Sequence, residues 1–238
     1  MLDFSRYFNI PGLIAGFSDQ VVPVPDPDGR AQLASALALN PRQLCIPVQI
    51  HSSAVLAVTS PGIYEDVDGL VTRRPDLVLS LQVADCIPLY LADPHSRTIG
   101  LVHIGWRGAA AGIVERAIDA LHQSGSAVEN LVALTGPCIR QKNFEVGPEV
   151  AENFHPDLLK PGVGDRFWLD LPGAIKMQLA AGGLNSAKIL DTGLDTYQYP
   201  EQFHSYRRDG TQAGRNFACF GWSSKVTSGA VSGESVPK

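Results

Sequence analysis

The sequence has little of what marks the simpler protein classes. It holds only four cysteines, Cys45, Cys86, Cys138 and Cys219. They are far apart and form no CxxC pair, so a disulfide scaffold is not expected and a reducing cytoplasm is. No apolar run is long enough to span a bilayer, so no membrane association is expected. The stretch Met1 to Phe17 contains Asp3, Arg6, Asn9 and Pro11. It lacks the basic start and unbroken apolar core of a secretory signal. There is no excess of positive charge: the net charge is −5. A nucleic-acid partner is therefore not expected, and any phosphate site must be local. The GK[ST] ending of a P-loop is missing, as is the HxE…PCxxC pattern of zinc deaminases. No internal repeat or linker is visible.

What remains is ordinary globular composition, 238 residues with 45% apolar side chains. That suits one mixed α and β domain over residues 1–222, with residues 223–238 expected to fray. Residues 1–29 read as irregular, punctuated by Pro23, Pro25, Pro27 and Gly29. Ala31 to Leu39 reads as a short helix stopped by Asn40-Pro41. Strands are expected over Cys45–His51, Ala54–Thr59, Leu77–Val83, Leu131–Leu134, Phe167–Leu171, Lys188–Leu190 and Asn216–Phe220. Val114, Ala117, Ile118 and Leu121 fall on one face of a helix that Gly125 stops. Helices are also expected over Val150–Phe154 and Ala174–Ala181.

The chemistry concentrates on two apolar strands, the first opened by Cys86 and running to Asp93, the second running from Ile99 and closed by His103, joined by Pro94-His95-Ser96-Arg97. That connector is short enough for a hairpin. An antiparallel hairpin sets the start of its first strand beside the end of its second, so Cys86 and His103 should lie together. His51 stands at another expected strand end. A thiol with imidazoles has two common uses: a nucleophile with its base, or ligands of a soft metal. Two imidazoles and a thiolate make a three-ligand zinc set with one open position. Asp85, beside Cys86, could orient a ligand or a water; Asp68 could do the same or cap the turn at Gly69. His95, His122, His155 and His204 read as surface residues. Cys45 and Cys219 read as small core hydrophobes, and Cys138 as structural.

A second cluster is cationic. Arg107 follows His103 and precedes an expected helix start at Gly108 to Gly112, where backbone N–H groups attract anions. Arg207, Arg208 and Arg215 gather among turn residues near the C-terminal end. Arg107, Arg208 and Arg215 are taken as the substrate-binding candidates.

Several segments, in order, resemble the multicopper polyphenol oxidase (laccase-domain) family, also called the purine nucleoside phosphorylase or peptidoglycan-editing-factor family. They are Gln49-Ile50-His51-Ser52, Asp66-Val67-Asp68-Gly69-Leu70-Val71-Thr72, Ala84-Asp85-Cys86-Ile87-Pro88 and Val102-His103-Ile104-Gly105-Trp106-Arg107-Gly108. Gly136-Pro137-Cys138-Ile139, Phe144-Glu145-Val146-Gly147, Ser205-Tyr206-Arg207-Arg208-Asp209 and Gly214-Arg215-Asn216 continue the series. The resemblance implies a single-domain α-β-α sandwich with a mixed sheet, and a zinc ion on His51, Cys86 and His103. Two positions depart from the family: Asp191-Thr192 replaces a common Cys-Thr pair, and Phe203-His204-Ser205 replaces a more aromatic lead-in. Both departures are expected to touch the pocket wall or substrate fit.

The family's activities span phosphorolysis of purine nucleosides, deamination of adenosine, copper-dependent phenol oxidation and amide hydrolysis on peptidoglycan precursors. Laccase chemistry needs several coppers and many histidines; six histidines are too few. Copper could still occupy a zinc site, since it binds such ligands more tightly. The expected function is zinc-dependent phosphorolysis of adenosine, inosine and methylthioadenosine, with adenosine deamination as a related activity. Its partners are a small purine nucleoside and phosphate. A zinc or Cys-His amide hydrolase, with Cys86 as nucleophile and His103 as base, is the alternative. Asp85, Cys86 and His103 are the catalytic candidates.

Overall fold

A computed structural model describes residues 1–20 and 28–223. The proline-punctuated loop at Pro23 to Pro27 and the frayed segment expected after Ser223 lie outside the described residues. The chain is a single mixed α/β domain, its β part divided into two six-stranded mixed sheets. The first sheet runs Leu2–Asp3, Leu13–Phe17, Asn216–Trp222, Val78–Val83, Leu44–Pro47, Gly62–Tyr64. The second runs Ile189–Asp191, Val132–Thr135, Ile87–Asp93, Thr98–Ile104, Gly69–Thr72, Val55–Ala57. A small antiparallel sheet of Glu145–Val146, Phe167–Leu169 and Leu159–Pro161 lies beside them.

Alternation along the strands builds the layers, because successive side chains point to opposite faces. From the hairpin, Tyr90, Ala92, Ile99 and Leu101 face the other sheet and meet Phe17, Leu79, Leu81 and Phe220. Leu89, Leu91, Val102 and Ile104 face away, against Ile113, Val114, Ala117 and Leu121 of the helix Ile113–Gln123 and Ile175 and Leu179 of the helix Leu171–Ala181. The helix Asp28–Ala36 covers the outer face of the first sheet, its Leu33 and Ala34, with Leu37 beyond its end, meeting Val78, Phe217 and Cys219. The order is helix, sheet, sheet, helices.

The N-terminal segment is a correction to the sequence reading. Residues 1–20 are not irregular: they supply two strands and the helix Ser5–Phe8. Phe4, Phe8, Leu13, Ala15 and Phe17 are buried between the sheets. The strand expected over Cys45–His51 stops at Pro47, and His51 lies in a loop with φ 62°. Leu171 begins a helix rather than ending a strand, because the Asp170 side chain accepts a hydrogen bond from Gly173 N–H and Pro172 suits a first turn.

Phe220 is fully buried, with ring centroids 5.3 Å from those of both Phe8 and Tyr90. Phe220→Ala removes the ring where both sheets must close. It is expected to cost about 3–5 kcal/mol in urea unfolding, the usual range for a buried aromatic.

Candidate metal centre

The hairpin forms with the expected register: Pro88 pairs with His103 and Ile87 with Ile104. By alternation, Cys86 and His103 take the same face as Pro88, Tyr90 and Leu101. That is the inter-sheet face, at the end where the chain crosses from Val83 in the first sheet to Ile87 in the second. His51 enters from the loop after Leu44–Pro47. The ligating atoms of His51, Cys86 and His103 all lie within 4.8 Å of one another. His51 Nε2 is 3.9 Å from Cys86 Sγ, and the two imidazoles meet edge to face at 4.8 Å. A tetrahedral ion with bonds of about 2.0–2.3 Å needs donor separations of about 3.3–3.8 Å, so small rotations close the set.

One carboxylate organises the cluster. Asp68 is fully buried. Its Oδ1 accepts from His51 N–H at 2.9 Å and faces His103 Nδ1 at 2.8 Å. Its Oδ2 accepts from the Ile50 and Ser52 N–H groups and from Ser52 Oγ, at 3.2, 2.7 and 2.8 Å. Three successive amides wrapped around one carboxylate account for the left-handed backbone of His51, costly for a non-glycine residue without such support. Burial alone would raise the Asp68 carboxyl, but the bonds from His103 and Ser52 outweigh it and bring it to about 2. The ionised Asp68 accepts Nδ1–H, which leaves His103 Nε2 for a metal.

Without a metal, the thiol and this imidazole polarise each other. Burial would raise Cys86, but the His103 charge and the bonds to both histidines bring it down to about 6. Burial would lower His103, but the Cys86 charge and Asp68 raise it to about 9. Gly105 keeps the cluster open: a Cβ there would lie 3.1 Å from both Cys86 Sγ and His51 Cδ2.

The three donors line a cleft of about 490 Å³, a usual size for a small-molecule site. Trp106, Ile139, Phe144, Leu171 and Tyr206 give it apolar walls, and Arg107, Arg207 and Arg215 give it charge. The Arg107 guanidinium lies over the Trp106 ring at 4.3 Å, and its N–H groups have no hydrogen-bond partner among the described residues. The expected helix start at Gly108 is corrected: Arg107 sits inside the short helix Trp106–Ala110, and Gly112, at φ 79°, separates it from the next helix. Arg215 donates to the carbonyls of Ala213 and Gly214. Arg208 is not brought to the cleft. Its guanidinium is spent on the carbonyls of Thr196, Tyr197 and Phe203 and on Asp209. Arg207, its neighbour, lines the cleft instead. Asp85 also lines it, with both carboxylate oxygens engaged by Thr196, Ser205 and Arg207.

The remaining expectations place as follows. His95, His122 and His155 are exposed, and His204 is half-buried against Gly214. Cys45, Cys138 and Cys219 are buried, and burial pushes the Cys45 and Cys219 thiols up to about 12 and Cys138 higher still. Neither family departure lines the cleft. Asp191 instead makes a two-pronged ion pair with Arg140 at 2.7 Å.

A His-Cys-His cluster at the open end of a two-sheet sandwich defines a candidate single-metal protein with a small-molecule cleft. Residues 25–223 match the family described as multi-copper polyphenol oxidoreductase laccase, and the chain belongs to it. A purine nucleoside phosphorylase of Deinococcus radiodurans is 35% identical over 202 residues, 84% of this chain and 78% of the relative. Adenosine deaminase RL5, from an unknown prokaryotic organism, is 31% identical, over 80% of this chain and 79% of its own. The crystal structure of YlmD from Geobacillus stearothermophilus superposes with a TM-score of 0.84 at 25% identity, covering 91% of this chain and 93% of that one.

Two outcomes are expected. Asp68→Asn should weaken metal binding about 10- to 100-fold, the usual effect of losing a carboxylate behind a ligating histidine, as read by chelator competition. Metal binding must also displace the His103 proton between about pH 6 and 9, and a Cys86 proton as well below about 6. Apparent affinity should therefore rise about tenfold per pH unit across the first window, fall more steeply below it, and level off above it.

Proposed function

We propose that this chain is a zinc-dependent purine nucleoside phosphorylase. The observation that carries the reading is the combination in one cleft of three metal donors, one short of a tetrahedral set, and a guanidinium, Arg107, whose N–H groups have no hydrogen-bond partner among the described residues. Two imidazoles and a thiolate of lowered pKa suit zinc, which would supply positive charge and an open coordination site at the reacting centre. Among the described residues only one such donor group exists. The multiple copper sites of phenol oxidation have no counterpart there, and copper enters this reading only as a substitute ion.

In phosphorolysis a phosphate oxygen bonds to C1′ of the ribose as the bond from C1′ to the purine nitrogen breaks. The electron pair leaves with the base. Arg107, stacked on Trp106, would hold the phosphate with its forked donors. Arg207 and Arg215 would add positive potential along the same wall. Trp106, Phe144 and Tyr206 would keep water from the ribosyl carbon, which otherwise hydrolyses. Asp68 would hold His103 in the ligating tautomer. The names of the two relatives support a purine nucleoside as substrate, and deamination of adenosine would use the same open position without phosphate.

The lowered Cys86 thiol beside His103 also suits the alternative, a Cys-His amide hydrolase. Metal content separates the two readings. About one zinc per chain, lost in Cys86→Ala, supports the ligand role. Stoichiometric alkylation of Cys86 in metal-containing protein supports the nucleophile.

Zinc-loaded protein given inosine or methylthioadenosine is expected to release free base and a sugar 1-phosphate only when phosphate is present. Arg107→Ala should raise the phosphate KM at least about tenfold with zinc content unchanged. Release of no free base from any of these nucleosides in the presence of phosphate, whether or not adenosine is deaminated, would sink the phosphorylase reading.

A further inference from the structure

Asp85 is a second buried acid beside the cluster, and Cys86 follows it directly. Its backbone is left-handed at φ 84°, and it is 8% exposed. Its Oδ1 accepts from Thr196 Oγ1 at 2.7 Å. Its Oδ2 accepts from Ser205 Oγ at 3.0 Å and from the main-chain N–H of Arg207 at 2.7 Å. Its carbonyl accepts from Ile139 N–H at 3.0 Å. Thr196 and Ser205 are fully buried. Ser205 Oγ in turn accepts from Arg208 N–H, capping the short helix Tyr206–Asp209.

The groups held are neighbours of the cleft wall. Ile139, Tyr206 and Arg207 all line it. With its main chain fixed, Arg207 lies over the Phe144 ring at 5.4 Å and donates one bond, to the Glu145 carbonyl at 2.8 Å. Its other side-chain N–H groups have no partner among the described residues. One carboxylate therefore spans the gap between the thiolate position and the arginine wall, Asp85 and Arg207 being 122 positions apart in the chain.

We infer that Asp85 is a positioning residue: it latches the 205–208 turn to the metal cluster and so sets where Arg207 meets an anionic substrate group, without itself transferring a proton. This inference rests on the phosphate-dependent reading above for its kinetic arm only. The chemistry of the latch makes a specific demand. Thr196 Oγ1 is a hydroxyl and can accept as well as donate, whereas Arg207 N–H and the engaged Ser205 hydroxyl need an acceptor. An asparagine amide can meet it, with its oxygen toward Ser205 and Arg207 and its NH₂ toward Thr196. Asparagine also tolerates a left-handed backbone. Glycine tolerates that backbone but offers no acceptor.

The test compares Asp85→Asn and Asp85→Gly in zinc-loaded full-length protein. Asp85→Gly is expected to keep its zinc, to speed amide hydrogen exchange at Arg207 and Arg208, and to raise the phosphate KM about tenfold with a smaller change in kcat. Asp85→Asn should restore slow exchange and bring KM within about threefold of the parent. Adding Arg207→Ala to Asp85→Gly should raise KM no further, since the arginine is already misplaced. The inference is overturned if Asp85→Asn is as inactive as Asp85→Gly with normal exchange, the signature of a proton-transfer role, or if Asp85→Gly leaves exchange unchanged. Should the parent protein show no phosphorolysis, the functional reading fails, while exchange and zinc content still decide the latch.

Discussion

The site depends on keeping a negative charge buried without solvent. Asp68 sits where the 50–54 loop meets the strand Thr98–Ile104, and the surrounding chain satisfies it with amides, a hydroxyl and an imidazole. A buried carboxylate is tolerable only with such compensation. Here the compensating groups are the same atoms that orient two of the three donors. The left-handed backbone of His51 and the tautomer of His103 both follow from this arrangement. The aromatic and cationic walls are then built around a cluster whose geometry is already set.

Part of this was legible in residue order. Cys86 and His103 were paired by a short connector between two apolar runs, and period-two alternation put them on one face. The turn residues around His51 mark it as a candidate, but its left-handed conformation depends on Asp68, 17 positions away. No local pattern carries that. The arginines show the limit most plainly. Arg207 and Arg208 are adjacent in a single helical turn, where neighbouring side chains point about 100° apart. Which of them faces the cleft is decided by the carbonyls of Thr196, Tyr197 and Phe203, and those are invisible in the local sequence.

The fold is legible where amphipathic period is strong, as in Ile113–Gln123, and in the continuous apolar runs of Ile87–Asp93 and Thr98–Ile104, and is lost in the N-terminal segment. Leu13–Phe17 is short and carries Gly16, so it gave no alternation. A Cβ at Gly16 would meet the Leu37 side chain at 2.3 Å and would have to displace it. Asp191 offers the opposite lesson. Its departure from the family pattern looked like a change at the pocket, yet its carboxylate is paired with Arg140 away from the cleft. Here Asp191 fastens the end of the strand Ile189–Asp191 to Arg140, and it is not part of the cleft walls.

The strand Asn216–Trp222 lies between Leu13–Phe17 and Val78–Val83, inside the first sheet rather than at its edge. During synthesis those two strands emerge long before the one that must separate them. Until it arrives, both present open backbone edges and apolar faces that invite wrong pairings. Closure of that sheet thus cannot precede synthesis of Asn216–Trp222, which leaves its two neighbours unjoined while more than a hundred intervening residues are made.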